Sequence, residues 1–285
     1  VSRRRPTARR LARLWPARVG SARARLLGLA LLLAGCGAAK RPATFGVYAV
    51  WLEGHGDEDR AELDRFLTCL IDGSTLNAFW DGEARLVRRG SWTLPAPDGA
   101  LDWSDAAAWL TPHVAAGRVP APRADETPVY LVFGGSPALK VGACGRNAAG
   151  EVAGRRAGLA IVRNRPLCWP TGDRVRTETQ IATHELVEAV DRLLGYEGCA
   201  GGGACRGKPV CPSFCETFVG LACPGAPTGT WTGCEGGRVD GWVIQRFSHA
   251  SRAPGTCGQC ATCDFTPRAC APGEAGCGAA AWGEP

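Results

Sequence analysis

A chain of 285 residues with 33 Lys+Arg against 27 Asp+Glu carries a formal charge of +6, which would ordinarily admit nucleic acid or anionic lipid as a partner. The distribution excludes that reading for the body of the protein. Nine arginines fall between Arg3 and Arg25, the first acidic residue is Glu53, and without those nine the balance is 24 basic to 27 acidic residues.

The arginine-rich start runs into a nine-residue apolar stretch, Leu26 to Ala34. A basic segment followed by a short apolar run and small residues is the pattern of an export leader. Spanning a bilayer takes roughly 20 apolar residues, so the run is not an anchor by itself. Leu33-Ala34-Gly35-Cys36 resembles a bacterial lipobox. That resemblance implies a signal peptide over residues 1–35, acylation of Cys36, and an exported lipoprotein held to a membrane by lipid, periplasmic or at the cell surface. The chain begins with Val1 and contains no methionine, and Val19 would serve equally well as an initiating residue.

Residues 36–44 read as a short tether, 45–250 as the main domain and 251–285 as a cysteine-rich tail. Of 15 cysteines, 14 remain once Cys36 is set aside. That even number suits a disulfide framework in an oxidising compartment. The tail spacing Cys257, Cys260, Cys263, Cys270, Cys277 would also suit a thiolate metal cluster, but export favours cross-links, which replace the hydrophobic core that the tail lacks.

Within the main domain, Gly46 to Leu52 is an apolar run that predicts a strand. Asp57 to Ile71 places Leu63, Phe66, Leu67 and Leu70 at helical spacing, ended by Asp72-Gly73. Ser104 to Ala116 predicts a helix capped by Ser104, with Pro112 kinking or breaking it. Val129 to Phe133 and Gly158 to Val162 are further strands. Thr177 to Leu194 is the strongest helix, closed by Gly195. Cys199 to Cys234 predicts a loop-dominated segment, and Gly241 to Phe247 a late strand. Strands separated by helices give a mixed α/β or α+β layer structure.

The strongest helix contains Thr183-His184-Glu185-Leu186-Val187-Glu188-Ala189-Val190-Asp191. At about 100° per residue, Glu188 lies about 40° from His184 and Asp191 about −20°. Ala182, Leu186, Val190 and Leu193 gather on the opposite side. His184 and Glu188 thus project one above the other, as a metal-ligand pair one turn apart would. Glu185 is offset by about 100°, where the general base stands in an HExxH arrangement. The plainer reading of the same angles is a solvated polar stripe on a surface helix.

This helix resembles the HExxE segment, often written HELAEAxTDP, of secreted bacterial zincin-like proteins related to the plant phosphate-induced, Exordium-like proteins. Other similar pieces follow in order. They are Ala108-Trp109-Leu110 through Ala116-Gly117-Arg118-Val119-Pro120, the strand Thr127 to Phe133, Cys144-Gly145, Cys215-Glu216, and Val243 to Ser248. The likeness spans Gly46 to Ser248, with the HExxE helix its distinctive part. It implies a zincin-like domain with a divalent metal, zinc, held by His184 and Glu188, and Glu216 as a further ligand. Glu185 would be the catalytic base and a protein or peptide the substrate. The pattern also departs from the family: its TDP aspartate falls on Arg192, Asp191 takes the threonine position, the terminating proline is missing, and Val219 replaces a downstream acid.

His55, His113 and His249 are isolated candidates for a third ligand. No G-x-S-x-G elbow and no phosphate-cradling loop occurs. Two functions stay open. One is an exported lipoprotein with a metal-dependent peptidase-like domain. The other is a non-catalytic extracellular binding or adhesion lipoprotein whose HExxE helix is structural or decayed.

Overall fold

The computed structural model describes residues 42–80, 82–99, 101–135, 139–140, 144–164, 174–195, 213–223, 226, 230–232, 238–248 and 267–271. The residues read as a leader, Cys36, His249 and most of the cysteine-rich tail lie outside the described residues.

The chain enters through β1 (Ala43–Leu52), crosses by α1 (Asp57–Asp72) to β2 (Ala84–Leu94), and passes α2 (Ala106–Ala115) to reach β3 (Thr127–Gly135). A hairpin of β4 (Gly145–Val152) and β5 (Arg155–Asn164) follows, then α3 (Arg174–Leu194). The five strands form one sheet in the order β2-β1-β3-β5-β4. β1 pairs in parallel with β2 and β3, β3 with β5, and β4 runs antiparallel at the edge. The mixed α/β architecture read from the sequence is therefore present.

Helices cover both faces, which is why the inner strands read as continuous apolar runs rather than alternating ones. Along β1, Phe45, Val47, Ala49 and Trp51 pack with residues of α1 and α3. Tyr48, Val50 and Leu52 point the other way and pack with Leu110 and Val114 of α2. β1 begins at Ala43, two residues inside the segment read as a tether. The hairpin turns on Ala153 (φ 48°) and Gly154 (φ 76°), the two left-handed positions of a tight type I′ connection.

The expectation for α2 is corrected. Ser104 does not cap α2: it lies in a 3-10 turn, Trp103–Asp105, and its hydroxyl donates to Asp102 Oδ1 at 3.1 Å. Helix α2 starts at Ala106 and runs through Pro112 to Ala115. The stretch from Cys199 to Cys234 also contains β6 (Ser213–Leu221), antiparallel to β7 (Trp242–Ser248). Residues Thr230–Thr232 pair with Arg238–Asp240. The segment Ser213-Phe214-Cys215-Glu216-Thr217-Phe218-Val219-Gly220-Leu221 is rich in strand formers, but its cysteine- and glycine-rich flanks hide the pattern.

Cross-links and backbone hydrogen bonds fasten the outlying segments. Cys69 of α1 is joined to Cys223, just past β6, with Cα atoms 6.0 Å apart; Cys144 and Cys270 are also disulfide-bonded. The tail touches the body where α1 ends: Thr75 N–H donates to the Arg268 carbonyl at 2.9 Å and Cys270 N–H to the Gly73 carbonyl at 2.8 Å. Among the described residues, no helix is long and apolar enough to cross a membrane.

Candidate functional site

Helix α3 packs against β5, β4 and β7, so it is buried nearly all round rather than on one face. Buried residues include Thr179, Ala182, Thr183, Glu185, Leu186, Val190 and Asp191. Thr179 Oγ1 donates to the Val243 carbonyl of β7 at 2.9 Å. The half-exposed positions Arg176, Gln180, His184, Glu188 and Arg192 recur every fourth residue, so a narrow polar stripe is present, with Glu185 and Asp191 buried beside it. The spacing of residues tells which side chains share a face, but not what lies opposite that face. Here an edge strand does.

His184 and Glu188 remain together as the spacing requires. Their Nε2 and Oε2 atoms are 3.6 Å apart, with the side chains 31% and 24% exposed. Glu185 is enclosed, at 6% exposure. Its Oε2 accepts a hydrogen bond from Asn147 Nδ2 of β4 at 2.7 Å. The same amide nitrogen donates to Glu188 Oε2, and Arg192 Nε donates to Asn147 Oδ1.

Gly145, at the start of β4, lets the strand approach this closely. A Cβ there would sit 2.7 Å from both Glu185 Cγ and Ile181 Cγ2, too near for any side chain without movement. The approach strips water from Glu185. Burial pushes its carboxyl from an ordinary 4.5 up to about 7, with the Glu188 charge adding to the rise and His184 and the Asn147 hydrogen bond opposing it.

Asp191 is placed elsewhere. It is 4% exposed, and its Oδ1 accepts the Trp80 indole N–H at 2.9 Å, which makes it a buried core anchor about two helical turns along from His184. His55 is also structural: its Nε2 lies 3.1 Å from Glu178 Oε1, and both side chains are fully enclosed. His113, in α2 on the other face of the sheet, lies against the Trp109 ring at 5.0 Å; burial, aided by the Arg118 charge, lowers its pKa. Glu216 lies within β6, with its side chain outside the described residues.

The pair can be tested for fit to a metal. Two ligands held at about 2.0–2.1 Å in a tetrahedral shell stand about 3.3–3.4 Å apart. The His184–Glu188 separation of 3.6 Å is close to that value, so these two residues fit a common ion with only a small adjustment. Among the described residues, no group of three His, Cys, Asp or Glu side chains converges to complete the shell.

Two members of this network carried no sequence signal. Asn147 sits in Gly-Arg-Asn-Ala-Ala-Gly-Glu-Val, which shows neither apolar alternation nor a motif. Arg192 is visible only as a departure from the expected acidic residue. No family model, no curated protein and no solved structure matches this chain.

Proposed function

We propose that the chain is an exported, lipid-anchored protein whose domain is zincin-like and works as a metal-dependent, peptidase-like hydrolase. The observation that supports this most is local. A histidine and a glutamate one turn apart are 3.6 Å from each other, and an enclosed Glu185 lies beside them against a sheet edge. His184 and Glu188 would hold a divalent cation, zinc by preference for a nitrogen-containing shell. A third ligand, with Glu216 the candidate, is needed to close the set.

When bound, such an ion supplies Lewis-acid polarisation of the scissile carbonyl and acidifies a water. Glu185 would be the group that takes a water's proton and returns it to the leaving amine. A carboxyl held near 7 suits this work, because a base whose pKa lies near ambient pH both takes and gives a proton. β4 supplies a place for substrate. Among the described residues no strand pairs with its outer edge, where Arg146 and Glu151 are the exposed charges. An extended peptide can add there as a further strand.

A second reading has its own support. Asn147 already satisfies both carboxylates, as a purely structural lock between helix and sheet would, and the domain would then serve binding or adhesion. Metal analysis of the purified exported protein, with hydrolysis of casein before and after chelation, separates the two. The hydrolase reading expects stoichiometric zinc, turnover abolished by chelator, and a Glu185→Gln variant that keeps metal but loses turnover. A metal-free, inactive wild type, or an active Glu185→Gln variant, overturns it. Palmitate labelling that disappears in Cys36→Ser tests the anchor separately.

A further inference from the structure

Resting on that reading of the site, we infer that Asn147 is a positioning residue, oriented by Arg192, that fixes Glu185 and Glu188 in the spacing the ion and the proton transfer require. A carboxamide offers two N–H donors and one acceptor, and a guanidinium can only donate. Arg192 Nε points at one end of the amide, so that end is Oδ1 and the amide nitrogen must face the helix. Both of its hydrogens are then consumed, one by Glu185 Oε2 at 2.7 Å and one by Glu188 Oε2.

The Glu188 oxygen held by Asn147 is the same atom that lies 3.6 Å from His184 Nε2. A ligand oxygen and its alignment to the imidazole are therefore set from the sheet, not from the helix that carries them. Without the amide, two carboxylates in successive turns repel each other, and Glu188, which is part-exposed, is the one free to swing outward. Arg192 contributes charge as well as orientation. It stands where the resembled pattern has an aspartate, and it places a cation behind the amide dipole, whose donor end faces two anions.

The test uses Asn147→Leu, which keeps the branched shape and heavy-atom count while removing the hydrogen bonds, and Arg192→Ala, which frees the amide to rotate. Zinc affinity is read by competition with a chromophoric chelator, and the carboxyl carbon resonances of Glu185 and Glu188 are read by NMR in the metal-free protein. Loss of an outer partner of a metal ligand typically costs 10–100-fold in affinity. Asn147→Leu should therefore lose about 10–100-fold, with Arg192→Ala losing less, and both variants should shift the two carboxyl resonances. If Asn147→Leu does not fold, Arg192→Ala decides by the same two readouts. Unmoved resonances with unchanged zinc affinity overturn the inference while leaving the hydrolase reading intact. A wild type that binds no zinc overturns the hydrolase reading, and the resonances then decide whether Asn147 holds the carboxylates.

Discussion

Replacing Glu185 with glutamine isolates the consequence of pressing a carboxyl between α3 and β4. In the unfolded chain this group releases its proton near 4.5, whereas burial keeps the proton in place up to about 7 in the folded protein. Between those values the folded state holds a proton that the unfolded state has lost, so stability falls as pH rises. The contribution is complete below pH 4.5 and is lost as pH rises through about 7. At about 1.4 kcal/mol per pKa unit, the move from 4.5 to about 7 is worth about 3 kcal/mol. Glutamine has no proton to release, so the difference in unfolding free energy between wild type and Glu185→Gln should change by about that amount over this range. Urea titrations of chelator-treated protein at a series of pH values measure it, and charges common to both proteins largely cancel in the difference. A difference that stays flat with pH would mean that the carboxyl reaches water and that β4 does not cover it.

Three further outcomes follow from packing and cross-linking. Gly145→Ala forces a methyl group against Glu185 and Ile181 and should cost about 1–3 kcal/mol in urea unfolding; a variant as stable as wild type contradicts the close approach. Asp191→Ala leaves the buried Trp80 indole N–H without its acceptor and should cost about 1–3 kcal/mol, against a negligible change if the aspartate faced water instead. Removing the Cys69–Cys223 link, which joins residues 154 apart, should cost about 5 kcal/mol on a chain-entropy basis, read as a lowered denaturant midpoint in a Cys69→Ser, Cys223→Ser double variant.

The parts legible in the sequence share a physical cause. β1, β3 and β5 are interior parallel strands buried on both faces, so Gly46–Leu52, Val129–Phe133 and Gly158–Val162 stand out as apolar runs. α1 and α3 announce themselves by periodicity and by a closing glycine. The edge strands were not legible: β2 carries Arg85, Arg88 and Arg89, and β4 is built from glycine, alanine and polar residues, because a strand with one free edge needs little apolar surface. That is also why half the candidate site stayed hidden. His184, Glu185 and Glu188 lie on one helix and obey a local spacing rule, while Asn147 meets them only after the sheet has formed. The burial of Asp191 escaped for a related reason, since a helical wheel has no knowledge of Trp80.

The bond between Cys69 and Cys223 closes a loop that contains β2 through β6 and the whole of α3. A protease that cuts once anywhere inside that loop produces two pieces that remain one covalent molecule. A nicked copy can then persist with its strands in place, and a second cut or a reductant is needed before the pieces separate.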